Sequence, residues 1–297
     1  MQNMKYTTAV RDDSNLRKSF NELTQQTFGF DFEDWYQSGH WGDLYIPHVL
    51  VNGEKVVSNV SVNLMQFNVD GTIKNYIQIG TVMTDSEHRG QGLNREIMER
   101  ILQEYAGKVD GIYLFGNDSV LNYYPKFGFT PAKEYEYYLP CNICENAPSY
   151  TLEKVNLSEE SQCSRLYHTI TSCASANTEN DALYMNENLS LYQFWFAADC
   201  GDSIYYLPEI DAYVIADLQE QTLYVNQVWS KQKIDLARLA ASFGNDVAET
   251  VFGFTPAQKE NLLIREHKED DCTLFILGDD LKRIEKDKMM FPILSHA

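Results

Sequence analysis

The sequence predicts an α/β (α+β) protein of two domains, each a mixed, mostly antiparallel twisted sheet flanked by helices. Three observations predict this class. Strand patterns follow one another closely, with the hairpin pairs Asn52-Gly53 and Asp70-Gly71 between them. A strand that ends at 84 leads through a glycine turn into an amphipathic helix. The order helix, helix, meander, helix, strand, strand pair then recurs in the second half of the chain.

Composition narrows the functional classes. A chain of 297 residues suggests about two domains, and 44% hydrophobic and 13% aromatic residues can build their cores. No apolar run approaches the roughly 20 residues of a membrane helix, and the first residues lack a signal-peptide core. We therefore expect a cytoplasmic protein with no membrane partner. A formal charge of −19 argues against nucleic-acid binding. It fits either a cationic substrate or a solvated acidic surface.

The cysteines predict no metal site. Cys141 and Cys144 have metal-like spacing, but no second Cys or His pair lies near them, and zinc needs four ligands. We expect free thiols in a reducing compartment. The remaining cysteines are Cys163, Cys173, Cys200 and Cys272.

The first elements are helical. Residues 14–27 show helical periodicity, with Ser14 as the N-cap. An aromatic segment follows at 28–41, which either packs a short second helix into the core or forms the wall of a substrate pocket. Its acidic residues either attract a cation or face water. They are Asp31, Glu33 and Asp34.

A meander of strands leads to a predicted anion site. Strand patterns occupy 47–51, 55–69 and 72–84. Gly90 and Gly92 then let the backbone turn tightly where a side chain would clash. The first amides of the following helix have no partner within it and lie at the positive end of the helix dipole. Arg89 adds positive charge.

The remainder of the first half reads as a strand at 111–115 that ends at Asn117, a short helix at 119–126, a turn at 127–129 and a final strand pair.

Two motifs in these elements resemble those of the GNAT superfamily of acyl-CoA-dependent N-acyltransferases. The segment 87–92 resembles the pyrophosphate signature, with Glu87 at the position of the usual Gln or Arg and Asn94 where a small residue is common. The segment 123–129, Tyr-Tyr-Pro-Lys-Phe-Gly-Phe, resembles the second motif, with Pro125 in place of a polar residue. The resemblance covers residues 1–140.

The resemblance implies acetyl-CoA as the co-substrate. Backbone groups of Val82, Met83 and Thr84 would then contact the pantetheine arm, and Asn117 would bond it. Tyr124 would protonate the leaving thiolate, unless it is only a packed helix tyrosine. Backbone amides would hold the pyrophosphate at Arg89, Gly90, Gln91, Gly92, Leu93 and Asn94.

The resemblance also implies an acceptor site lined by the segment between the first two helices, with Glu33, Asp34 and Trp35 as substrate contacts. Gln78 stands where many relatives have a Glu base and is a further substrate contact. The general base therefore stays open. Its alternatives are Glu33, Asp34, His40, His48, a water relay or the terminal carboxylate of Ala297.

Two function classes remain. The first is an acetyl-CoA-dependent N-acetyltransferase in which the primary amine of a small molecule attacks the thioester directly. The alternative is an acyl-CoA-binding sensor without turnover. A third interpretation, acylation of peptides, would need an open groove.

The second half is interpreted as a linker, 141–150, and a degenerate GNAT-like domain, 151–297. No glycine pair follows Trp229, so we predict one acyl-CoA site, in the first domain, with the second domain shaping its acceptor pocket. The apolar tail 290–297 is predicted to be docked. We expect a monomer or a homodimer. The predicted helices begin near 158 and span 189–198 and 234–243, and the predicted strands are 203–207, 212–216, 222–229, 249–254 and a hairpin at 262–277.

Overall fold

The computed structural model of the chain describes residues 4–140, 147–173, 177–244 and 246–296. Within these residues the predicted α/β class is confirmed, because two mixed sheets are flanked by helices. No described helix combines the length and the apolar character needed to cross a bilayer. The helices are α1 Ser14–Phe28, α2 Glu33–Gln37, α3 Leu93–Tyr105, α4 Glu160–Ser172, α5 Leu189–Trp195, α6 Leu236–Ala241 and α7 Arg283–Lys286.

The first sheet contains most strands of the first half, in the order β1-β2-β3-β4-β5-β15-β6, with β9 paired to the far end of β3. Only β4 and β5 are parallel neighbours in this order. The strands are β1 Lys5–Thr7, β2 Tyr45–Asn52, β3 Lys55–Val69, β4 Thr72–Thr84, β5 Gly111–Gly116, β6 Thr130–Ala132, β9 Leu183–Asn186 and β15 Thr273–Leu277.

The second sheet has the order β14-β7-β13-β12-β11-β10-β8, and β12 and β13 are its parallel pair. The strands are β7 Glu134–Pro140, β8 Glu153–Lys154, β10 Ile204–Leu207, β11 Ala212–Gln219, β12 Thr222–Trp229, β13 Glu249–Phe252 and β14 Leu263–His267.

Helices α1 and α3 cover opposite faces of the first sheet. Phe20 and Leu23 of α1 pack in one apolar cluster with Val49 of β2. Ile97 of α3 packs in another with Leu50, the next residue of β2. Because successive strand residues point to opposite faces, the two helices sandwich the sheet. Helix α1 is capped by Asp13, which accepts hydrogen bonds from two backbone amides, rather than by the predicted Ser14.

The last strands of the two halves are exchanged, which corrects two predicted strand pairs. Strand β7 does not pair with β6 but lies in the second sheet, where Leu139 faces Thr250 of β13. Strand β15 does not pair with β14 but inserts into the first sheet, where Phe275 faces Leu114 of β5. The predicted division at 140 is therefore not a division between the sheets. Short-range hairpin patterns do not specify the partner, since tertiary packing selects it.

The predicted helix at 119–126 is wrong. The chain forms two short 3₁₀ turns instead, Asp118–Val120 and Tyr124–Phe127. Pro125 lacks a backbone N–H and disfavours the α conformation of the residue before it, so a continuous α-helix cannot pass through this position without distortion.

The predicted docking of the tail is confirmed for its described residues. The Phe291 ring is fully buried and stacks on Tyr113 of β5, with centroids 4.0 Å apart. The His296 ring stacks on Phe115, two residues after Tyr113 on the same face of β5, with centroids 3.8 Å apart. The tail thus covers β5 on the face turned toward the second half. Ala297, Cys141 and Cys144 lie outside the described residues.

Candidate active site

The site is organised by a gap between β4 and β5. The two parallel strands are paired from Tyr76 and Gly111 to Ile79 and Leu114, where the described pairing ends. Two residues later Thr81 has a φ of 48°, and the register between β3 and β4 shifts at this point. A bulge redirects the bulged strand and disrupts its ladder. The end of β4 therefore diverges from β5 and leaves an opening between them.

Buried polar side chains hold this bulge. Asn59 donates from Nδ2 to the Thr81 carbonyl at 2.7 Å and to the Ser61 hydroxyl at 2.9 Å. The Ser61 hydroxyl donates to Tyr45, whose own hydroxyl lies 2.8 Å from Thr81 Oγ1. None of these residues is among the sequence-based predictions. A signal exists: Asn59, Ser61 and Asn63 alternate along β3 with the apolar residues Val60 and Val62.

The predicted glycine turn follows β4 directly. Gly90 and Gly92 have φ values of 75° and 80°, and α3 begins at Leu93 with no side chain capping its amides. A Cβ at either glycine would meet nothing within 4 Å. Glycine is thus required here for the left-handed backbone, not to avoid the clash that the sequence analysis expected. The space over the turn is open to an anion.

The Asp85 side chain stabilises the start of this turn through hydrogen bonds. Its carboxylate accepts hydrogen bonds from Lys55 Nζ at 2.6 Å and from His88 Nδ1 at 2.8 Å. These contacts, that of Lys55 first, lower the pKa of Asp85 to about 2. The side chain is 5% exposed. The Nε of Arg89 donates a hydrogen bond to the Thr84 carbonyl at 3.3 Å.

Three of the other predicted cofactor residues have side chains that contact the rest of the protein. The Leu93 side chain packs into the core under α3. Met83 is buried against α1, and its carbonyl accepts from Ser58 at 3.4 Å. The Ser58 hydroxyl also bonds the Asn94 amide side chain.

Asn117 and Tyr124 lie at the end of β5. Asn117 is exposed, and its Oδ1 accepts from the Ser119 hydroxyl at 2.5 Å. Tyr124 is 4% exposed, and its ring packs against Phe275 of the exchanged strand at 5.4 Å. No partner of its hydroxyl is found within the described residues. Burial, and then Tyr123, raise the pKa of Tyr124 well above its usual value, so its phenol stays protonated at neutral pH.

A cavity of about 690 Å³ adjoins the bulge, between the α1–α2 segment and α5. Helix α5 is tied to this segment: Trp35 Nε1 donates to the Ser190 carbonyl at 3.0 Å, and the Ser190 hydroxyl donates to the His40 carbonyl. Aromatic residues, two acids and two side-chain amides line the cavity. They are Phe28, Phe30, Asp31, Phe32, Asp34, Trp35, Leu44, Tyr45, Asn63, Thr81, Asn188, Ser190, Leu191, Phe194, Trp195, Ala197 and Ala198.

Of the predicted substrate residues, Asp34 and Trp35 line this cavity. Glu33 does not. It bonds Gln37, Arg17 and Asn21, and these contacts, that of Gln37 first, lower its pKa. Gln78 is buried in β4, opposite Asn63 in the register, and is not among the lining residues.

The two histidines considered as bases also lie outside the cavity lining. His48 is 1% exposed, bonds the Tyr6 hydroxyl at 2.6 Å and faces Tyr105 of α3. Burial lowers its pKa to about 4. Burial also lowers the pKa of His40. The geometry of His48 fits a packing role on the α3 side of the sheet.

Comparison with protein-family models gives a match in the first half of the chain. Residues 14–132 match the model described as an acetyltransferase (GNAT) domain. A search of curated proteins gives no significant match.

Solved structures share the fold over nearly the whole chain. An N-acetyltransferase from Kribbella flavida, described as GCN5-related, aligns with a TM-score of 0.58 at 13% identity, covering 92% of this chain and 70% of its own. A GCN5-related N-acetyltransferase from Anabaena variabilis aligns with a TM-score of 0.57 at 15% identity, covering 92% of this chain and 72% of its own. Eis1 from Mycobacterium abscessus aligns with a TM-score of 0.58 at 12% identity, covering 91% of this chain and 72% of its own. At such identities the likeness shows the fold.

Proposed function

We propose that the chain, whose residues 14–132 match the model of the GNAT acetyltransferase domain, transfers an acetyl group from acetyl-CoA to the primary amine of a small molecule. The observation that carries the proposal is the divergence of β4 from β5 after Ile79 and Leu114, directly before the open glycine turn. Thr81 of the bulge also lines the cavity of about 690 Å³, which supports an acceptor site beside the proposed cofactor site.

The cofactor is assigned to the turn and the diverging strands. The free amides at the start of α3 would bind the pyrophosphate. Val82, Met83 and Thr84 would offer backbone groups to the pantetheine arm, and Asn117 would bond it from the other side of the opening. The amides concerned belong to Arg89, Gly90, Gln91, Gly92, Leu93 and Asn94.

The proposed reaction is a direct attack. The neutral amine nitrogen adds to the thioester carbonyl carbon and forms a C–N bond, and a backbone N–H of the β4 bulge stabilises the oxyanion. When the tetrahedral intermediate collapses, the C–S bond breaks and the sulfur leaves as the CoA thiolate. Tyr124 protonates that thiolate, and the proton that the nitrogen loses as the amide forms returns to the Tyr124 phenolate through water. The products are the acetamide and free CoA thiol.

The amine must lose a proton before or during the attack. We assign this proton to Asp34 through a water relay, because Asp34 lines the cavity whereas Glu33, His40 and His48 do not. The carboxylate of Ala297 remains the second proposal. We further place the reaction in the cytoplasm, in line with the free thiols of Cys163, Cys173, Cys200 and Cys272.

The test is release of CoA thiol from acetyl-CoA with a panel of amines, aminoglycosides and peptides. We expect turnover with at least one small amine. Tyr124→Phe should lower kcat by about 10²-fold or more while leaving the Kd of acetyl-CoA within about twofold, since general-acid contributions are of that size. An equal loss of both would contradict the assignment of Tyr124. Tight CoA binding without thiol release with any acceptor would favour the sensor.

A further inference from the structure

The cavity beside the bulge has features that specify its ligand beyond a primary amine. We propose that it binds an amine with an aromatic body and an oxygen near the amine, and that Asn63 donates a hydrogen bond to that oxygen. This inference rests on the transfer reaction proposed above and names the class of acceptor.

The walls of the cavity fit an aromatic body. Phe32, Trp35 and Phe194 form a layer of tilted and edge-to-face rings whose centroids lie 5.6–5.9 Å apart. Phe28 and Phe30 are 46% and 41% exposed beside it. Large aromatic rings left in contact with water gain free energy when an apolar group covers them. A ring entering this cavity would extend the same edge-to-face packing.

Asn63 supplies a second, independent indication of a ligand. Its side chain lines the cavity, the residue is 2% exposed, and its Nδ2 has no hydrogen-bond partner within the described residues. An unpaired buried donor costs about 1–3 kcal/mol. A ligand oxygen that accepts this hydrogen bond would remove that cost.

The register places this donor near the reacting centre. Asn63 lies two residues along β3 from Ser61, whose partner Gly80 precedes Thr81. Two residues of a strand span about 7 Å. An oxygen bound by Asn63 is therefore close to the bulge, so it lies within a few bonds of the amine that attacks there.

Charge and polarity select an amine over a long acyl chain as the occupant. Asp31 and Asp34 line the cavity, and no Lys or Arg is found in its described lining. Carboxylates favour an ammonium group and disfavour hydrocarbon. An acyl chain also has no oxygen beyond its thioester to satisfy Asn63.

The test compares four acceptors that vary the ring and the oxygen independently: 2-amino-1-phenylethanol, 2-phenylethylamine, ethanolamine and propylamine. Thiol release from acetyl-CoA gives kcat/KM for each. We expect the ring to raise kcat/KM by at least tenfold and the hydroxyl to raise it by about tenfold more, the value of one hydrogen bond. In Asn63→Leu the ratio between the hydroxylated and the plain aromatic amine should fall to about one. A ratio that stays near ten would overturn the role of Asn63.

Matched surface variants test the aromatic wall. Phe30→Ala should raise the KM of the aromatic amines about fivefold and leave the aliphatic amines less affected. Leu218→Ala is the control, because Leu218 on β11 is also 41% exposed and lies outside the cavity lining. It should change the KM of neither the aromatic nor the aliphatic amines. Equal effects of the two variants would contradict the assignment of the wall.

A binding experiment without acetyl-CoA separates this inference from the reaction. Trp35 and Trp195 line the cavity, so their fluorescence should change when 2-amino-1-phenylethanol binds. Binding without any thiol release would contradict the transferase and leave the cavity assignment standing. Thiol release with other amines, without binding of an aromatic one, would overturn the assignment and leave the transferase standing. Competition by decanoyl-CoA but not by acetyl-CoA would show an acyl-chain site and overturn it too.

Discussion

At the scale of single residues, motifs identified some of the candidate site residues but not Asn63. Gly90 and Gly92 were singled out by their spacing, and Asn117 and Tyr124 by the family resemblance. In the structure the two glycines form a left-handed turn before α3, and Asn117 and Tyr124 follow β5. Motifs of this kind record backbone needs and chemistry at fixed offsets along the chain. Asn63 belongs to no motif, since it matters only because β3 runs past the bulge of β4. Its position in the alternation with Asn59 and Ser61 was the available signal.

Asp85 gives a prediction of pH dependence at the residue scale. Its folded-state pKa lies near 2, below the ordinary value of 3.8, because Lys55 and His88 stabilise the charged form. A depressed carboxylate pKa adds stability that is fully present above about pH 4 and is lost as the pH falls toward 2. Asp85→Asn should therefore lower the free energy of unfolding at pH 7 by about 1–3 kcal/mol.

The measurement is urea unfolding of wild type and Asp85→Asn at pH 7, 4 and 2.5. The difference between the two proteins should shrink at the lowest pH. Asp43→Asn is the matched control, because that carboxylate pairs with Arg11 at the surface with 90% of its side chain exposed. A difference that is constant with pH would contradict the linkage.

At the scale of elements, local patterns succeeded where a strand pairs with its neighbours in sequence. The bounds of β3 and β4 were predicted to the residue, because a hairpin turn and a period-two pattern determine both. The pairs β6 with β7 and β14 with β15 were predicted wrongly, because each partner comes from the other half of the chain. Nothing in a local pattern distinguishes these two outcomes.

The glycine turn carries the first prediction for an element. Gly90→Ala forces an L side chain into a φ of 75° at the proposed pyrophosphate site, which costs about 1 kcal/mol of strain and distorts the amides. The KM for acetyl-CoA should rise at least tenfold. Gly107→Ala places the same strain, at a φ of 70°, in the turn after α3, and a Cβ there also meets nothing within 4 Å.

The Gly107 variant should lose similar stability in thermal unfolding and keep the wild-type KM. If both variants raised KM alike, the effect would come from general destabilisation and the phosphate assignment would be unsupported.

The C-terminal tail gives the second prediction for an element. Phe291 is fully buried and packs against Tyr113, Phe67 and Tyr76 of the first sheet. Phe291→Ala should lower the free energy of unfolding by about 3–5 kcal/mol, the range for a large buried ring. Leu263→Ala, at a site 48% exposed on β14, should stay within about 0.5 kcal/mol. Chemical denaturation compares the two. A loss below 1 kcal/mol for Phe291→Ala would mean that the tail contributes little to the packed core.

At the scale of the whole molecule, each sheet contains a strand from the other half of the chain. Strand β15 lies between β5 and β6, so the first sheet is interrupted without the C-terminal half. Strand β7 lies between β13 and β14, so the second sheet is interrupted without the N-terminal half. Each half alone would expose unpaired strand edges and apolar faces, including Tyr137 and Leu139, which are buried in the second sheet.

This arrangement predicts that fragments 1–143 and 144–297 fold only together. Each fragment expressed alone should lack a cooperative thermal transition and should aggregate, since the strand that completes its sheet is missing. Co-expressed fragments should co-purify as a one-to-one complex that unfolds cooperatively and binds acetyl-CoA, because every strand pair is then restored without a peptide link. Size-exclusion chromatography and near-UV circular dichroism report both outcomes. A fragment 1–143 that unfolds cooperatively and binds acetyl-CoA by itself would show that the first sheet closes without β15, and the two halves would then be independent domains.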